Sequence, residues 1–80
     1  MILFDNMGHI VSDTSEQELH RFARMIRLDR AWYQNGKGLH PHYDLTTDNA
    51  RERARKAGAT QVPPQDLVRR AWWAAGRRSA

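Results

Sequence analysis

Asp13-Thr14-Ser15-Glu16-Gln17-Glu18-Leu19-His20-Arg21-Phe22-Ala23-Arg24-Met25-Ile26 carries the clearest local signal in the chain. Ser15 as N-cap with Glu18 three residues on reads as a capping box, and acids in the first turn suit the helix dipole. Leu19, Phe22, Ala23 and Ile26 follow at the i, i+3, i+4, i+7 spacing of an amphipathic helix. The pattern predicts a helix over 16–27. One flank of it is polar. Glu16, His20, Arg24 and Arg27 are spaced so as to form a stripe bordering the apolar face, which is either a solvated flank or one wall of a cleft.

Before this helix, Met1 to Phe4 is a short apolar run that predicts a buried strand. Asp5 to Gly8 turns, and His9-Ile10-Val11-Ser12-Asp13 predicts a second strand on its β-branched content. After the helix, Leu28 to Ala31 turns and Trp32-Tyr33-Gln34 predicts a short strand. Asn35-Gly36-Lys37-Gly38 then reads as a flexible basic loop. His40-Pro41-His42-Tyr43-Asp44 is extended, and alternation sends His42 and Asp44 to one face and Tyr43 and Leu45 to the other. Tyr43 would anchor the segment in the core and leave an imidazole beside a carboxylate outside.

Thr46 or Thr47 can cap a second helix running to Ala57, with Ala50, Ala54 and Ala57 as its narrow buried face and Glu52–Lys56 as a stabilising pair. Gly58 is the expected left-handed residue at its end. Ala59 to Val62 predicts a returning strand. Pro63-Pro64 opens a third helix with Leu67, Ala71 and Ala74 or Ala75 facing inward and Val68 and Trp72 beside them. Trp72 and Trp73 are too large for one small core to bury both, so one should meet another subunit or cap the helix end. The expected fold is α/β: a small single-layer sheet with about three helices packed across it, as one domain over 1–75 and a basic flexible tail over 76–80.

Eighty residues give a thin core, which favours a homo-oligomer. The absence of cysteine excludes disulfides, thiolate zinc sites and cysteine nucleophiles. The first apolar run is too short for a signal peptide and no stretch is long enough to span a membrane, so the expected location is the cytoplasm and the expected partners exclude the membrane. A net charge of +4 favours anionic partners.

Several short motifs stand in a fixed order: Ser12-Asp13-Thr14-Ser15, Glu18-Leu19-His20, Phe22-Ala23, His42-Tyr43-Asp44, Gly58-Ala59 and Leu67-Val68-Arg69-Arg70. Together they resemble a small bacterial and phage domain family of unknown function. That resemblance spans 9–70 and implies that His9, Asp13, His20, His42, Tyr43 and Asp44 occupy motif positions. It implies no activity. Its phage members make sequestration of a nucleotide signal the form that ligand binding would take.

Three chemistries compete. A small anionic, nucleotide-like ligand fits the most features: Arg24, Arg27 and Lys37 for charge, Tyr43, Tyr33 or Trp32 for stacking, and carboxylates to accept from ribose hydroxyls. The expected ligand-binding set is His9, Asp13, His20, Arg24, Arg27, His42, Tyr43 and Asp44. The alternative is a small enzyme acting on such a ligand by His/Asp acid–base or metal-assisted chemistry. The histidines and aspartates hold enough ligand atoms for a metal, but no His-Glu-x-x-His helix is present, so no metal and no cofactor are expected. Nucleic acid ranks third, because Arg51, Arg53 and Arg55 split across helix faces and no docking motif appears.

Overall fold

Five short strands form one mixed sheet in the computed structural model, which describes residues 1–34 and 41–79, with side chains through Ala71. They are β1 (Ile2–Phe4), β2 (His9–Ser12), β3 (Tyr33–Gln34), β4 (His42–Asp44) and β5 (Thr60–Gln61), in the order β3-β4-β2-β1-β5. β1 and β5 run parallel and every other pair is antiparallel. The chain expected as α/β is α/β.

Strand alternation divides the core in two. Ile2, Phe4, Ile10 and Tyr43 pack with Leu19, Phe22 and Ile26 of the first helical segment and with Ala50 and Ala54. Leu3 and Val11 point the other way and meet Leu67 and Ala71. The helices α1 (Glu16–Met25) and α2 (Asp48–Lys56) therefore cover one face and α3 (Pro64–Ser79) the other. A sheet with all helices across one side would leave Leu3 and Val11 in water, and that cost puts α3 where it is.

The helix ends follow local chemistry. The Ser15 hydroxyl accepts from the Glu18 N–H at 3.1 Å, as a capping box requires. The reciprocal bond is relayed: buried Ser12 donates its hydroxyl to Glu18 at 2.5 Å and accepts from the Ser15 N–H at 3.1 Å. α1 stops at Met25. Leu28 N–H donates to the Ala23 carbonyl and Arg27 N–H to the Arg24 carbonyl, a Schellman closure with Arg27 at φ 65°. Arg27 thus lies outside the helix whose polar stripe it was expected to extend.

Thr47 caps α2 through the Ala50 N–H at 3.0 Å, and Gly58 at φ 104° ends it. Ala57 sits exposed at that end, so the buried face is Ala50 and Ala54 alone. Glu52 pairs with Arg55 rather than Lys56. A short 3-10 helix, Arg30–Trp32, capped by Asp29, occupies the turn expected before β3. Gly8 is needed for space as well as for φ 92°: a Cβ there would sit 3.0 Å from the Leu45 carbonyl oxygen. That contact fixes the β1–β2 turn against the end of β4, where Leu45 N–H donates to the Gly8 carbonyl at 2.6 Å.

α3 opens at Pro64 as expected and continues through Ser79, so its backbone runs through the stretch expected to form a tail. The loop 35–38, His40 and the side chains of Trp72, Trp73, Ala74 and Ala75 lie outside the described residues. Among the described residues, no helix is long and apolar enough to cross a membrane.

Candidate functional site

Strand register assembles the site. The Asp5 N–H donates to the His9 carbonyl at 3.2 Å, and His9 pairs directly with Asp44 across β2 and β4. His42, two residues before Asp44, shares its face and lies diagonal to His9, a separation that large side chains bridge. The two imidazoles meet edge to face with centroids 5.4 Å apart, and His42 Nε2 stands 3.4 Å from Asp44 Oδ1. Asp44 Oδ2 accepts from the Gln34 amide at 2.7 Å. Alternation expected His42 and Asp44 on one face and Tyr43 on the other, and the geometry has them so. His42 is more enclosed than expected: its side chain is 8% exposed against 34% for Asp44, so it fills core volume as well as facing the site.

Behind His9 sits a residue that the sequence reading took for a plain turn former. The Asp5 side chain is 1% exposed. Its Oδ2 lies 3.1 Å from His9 Nδ1, while Oδ1 accepts from the backbone N–H groups of Met7 at 3.0 Å and His9 at 2.9 Å. With the carboxylate on Nδ1, the ring carries its proton there and Nε2 is the atom left to act. The spacing of Asp5 and His9 about an Asn-Met-Gly turn was the available signal.

The remaining expected residues form a second group or stand apart. Tyr43 reaches the opposite face, where its hydroxyl lies 2.7 Å from His20 Nδ1. His20 packs edge-on against Tyr33 at 4.4 Å, and the Tyr33 hydroxyl donates to Glu16. Burial, with help from the Arg30 and Arg24 guanidiniums, lowers the His20 pKa against the pull of Glu16. Burial raises that of Tyr43. A phenol that keeps its proton beside a neutral imidazole makes Tyr43 the donor and Nδ1 the acceptor. His20 was expected in one ligand-binding set with His42 and Asp44. It belongs instead to the face of Tyr43, because α1 docks on the side of Ile10 and Tyr43.

Asp13 is at the far end of β2, 3.1 Å from the Met1 ammonium. Arg24 and Arg27 are exposed at the end of α1, on the His20 side of the sheet. The eight residues expected as one cluster thus separate, and His9, His42 and Asp44 are what stays together.

These three offer ligand atoms that all lie within 4.8 Å of one another, a convergence found nowhere else among the described residues. Two imidazoles and a carboxylate so arranged can hold a cation or pass a proton. A cavity of about 390 Å³ lined by Asn6, Gln61, Val62, Pro63 and Pro64 opens at the same edge of the sheet. Asn6 follows Asp5, and Val62 N–H donates to the Phe4 carbonyl at 2.9 Å. β4 runs parallel to β1, since each is antiparallel to β2, so this is the edge at which β1, β4 and β5 all end.

Neither a curated protein nor a solved structure matches the chain. A family model described as a protein of unknown function, DUF4031, matches residues 4–74, from the end of β1 into α3 and including Asp5, His9, His42 and Asp44; the chain belongs to the DUF4031 family.

Proposed function

We propose that this chain binds a small anionic ligand of nucleotide type at the sheet edge where β1, β4 and β5 end. The observation that carries the reading is a cavity of about 390 Å³, lined by Asn6, Gln61, Val62, Pro63 and Pro64, at the sheet edge that also holds His9 and Asp44. Small-molecule sites have about this volume. Asn6 and Gln61 bring amides that can pair with a base edge, Val62 and the two prolines bring apolar surface, and a net charge of +4 draws anions. Arg24 and Arg27, expected to supply the charge locally, stand with α1 and have no part in it. A thin core favours a homo-oligomer, and the cytoplasm is its proposed location.

A second reading, a small enzyme acting on such a ligand, is favoured by Asp5. A buried carboxylate on Nδ1 is how an imidazole is oriented for proton transfer or metal ligation. Nucleic-acid binding stays third, since Arg53 donates to the Ile26 carbonyl and Arg55 and Arg69 pair with Glu52 and Asp66. Binding of that kind would be non-specific and lost with salt.

Native mass spectrometry of protein purified from cells, followed by calorimetric titration with a panel of nucleotides, tests the reading. At least one nucleotide should bind, and Asn6→Ala or Gln61→Ala should weaken it about tenfold, the value of one good hydrogen bond. No binding at millimolar nucleotide, or variants that bind as well as the parent, would overturn it.

A further inference from the structure

The arrangement of His9, His42 and Asp44 goes beyond a ligand pocket. We propose that these three side chains form a two-histidine, one-carboxylate centre for a divalent first-row transition-metal ion of the zinc or iron(II) type, with Asp5 as the positioning residue behind His9. The inference stands independently of the nucleotide reading and adds something that reading lacks, a positive charge at the sheet edge.

Four observations converge. Coordination at about 2.0–2.1 Å in a tetrahedron sets ligand atoms roughly 3.3–3.4 Å apart, and His42 Nε2 and Asp44 Oδ1 already stand 3.4 Å apart. The whole set lies within 4.8 Å, and His9 and Asp44 are its two partly exposed members. Next, His9 Nδ1 faces Asp5, so Nε2 is the ligating atom. A carboxylate on the second ring nitrogen is the usual support of a metal-bound histidine, because it fixes the tautomer and makes the ring a better donor. Third, Asp5 and Asp44 set two carboxylates against the two imidazoles in a chain that is basic overall. Carboxylates on this pair of imidazoles suit a cation between the rings.

The fourth observation concerns the chain's rigidity and access. His9 and Asp44 are paired across the ladder and Asp5 is tied to the same turn by backbone bonds, so the donors are preset by regular structure. His42 is enclosed, while His9 and Asp44 are 39% and 34% exposed, which gives an ion a way in. Three protein ligands leave a coordination position open, the pattern of a site that binds or activates something rather than one that merely holds a fold. An anionic group reaching from the neighbouring cavity is what such a position would take.

The experiment is titration of chelator-stripped, full-length protein with Co²⁺, read by visible absorption, and with Zn²⁺, read by calorimetry, both without nucleotide. One ion per chain should bind, with Co²⁺ bands of low-symmetry nitrogen and oxygen ligation. His9→Gln and Asp44→Asn should each weaken binding about 100-fold or more, and Asp5→Asn about 10- to 100-fold, the range of second-ligand-layer changes. His20→Gln, on the other face, should leave affinity unchanged. Thermal melts keep the comparison to folded variants, and the parent protein alone still decides stoichiometry and ligand type if a variant does not fold. No saturable ion, His20→Gln as damaging as His9→Gln, or affinity indifferent to His9 and Asp44 would each overturn the centre. Nucleotide binding that persists in metal-free protein leaves the pocket standing while the centre is judged on its own titration.

Discussion

Asp5 and His9 are joined three times across the turn between β1 and β2. Asp5 N–H donates to the His9 carbonyl, His9 N–H donates to Asp5 Oδ1, and Asp5 Oδ2 meets the His9 ring at Nδ1. One carboxylate therefore shapes the turn and aims the imidazole, which links the local fold to the site's chemistry.

Asp5→Ala should destabilise the protein by about 2–3 kcal/mol. It removes a buried acceptor from two backbone donors and a ring N–H, and such groups are costly to leave unpaired. Urea unfolding measures it. A change within about 0.5 kcal/mol, the range of an ordinary surface substitution, would mean the turn is held by Gly8 and Leu45 alone.

Arg27 bears a left-handed backbone at the end of α1 without being glycine. That conformation costs an L-residue about 1–2 kcal/mol, and glycine gives back part of the gain through its freer unfolded chain. Arg27→Gly should therefore raise stability by roughly 0.5–1 kcal/mol, whereas Arg27→Ala should not. Loss of stability in the glycine variant would show that the Arg27 side chain carries an interaction of its own.

His20 should make the fold acid-sensitive. Its folded pKa lies below the unfolded value of about 6.5, so the folded state holds fewer protons in that range. The contribution is complete above about pH 6.5 and is lost as pH falls toward the lower folded value, when the ring must charge and can no longer accept from Tyr43. The parent should lose more stability than His20→Gln between pH 7 and pH 5. Parallel curves for the two proteins would remove His20 as the cause.

Much of the fold was legible because its signals are local. The cap at Ser15, the apolar spacing of α1 and Gly58 at the end of α2 depend on residues a few positions apart, and alternation through His42, Tyr43 and Asp44 depends only on the chain being extended. The site was half legible for the same reason. His42 and Asp44 were paired correctly, but His20 lies on the border of its helix, and which sheet face it meets is decided by where α1 docks. Asp5 was missed because its role exists only once the turn closes back on His9. α3 took the second face for a reason that needs the strand order: β1 and β2 are interior strands with apolar residues on both sides.

The claim at the centre of this account is that His9 and His42 act together on one face while His20 serves the other. Imidazole nitrogen NMR of the parent protein during Zn²⁺ addition tests it most directly, since it reads each histidine separately without a substitution. Nε2 of His9 and a ring nitrogen of His42 should shift together and saturate at one ion per chain, with His20 unmoved. A His20 signal that moves in step with them, or His9 and His42 signals that stay still at saturating metal, would contradict it.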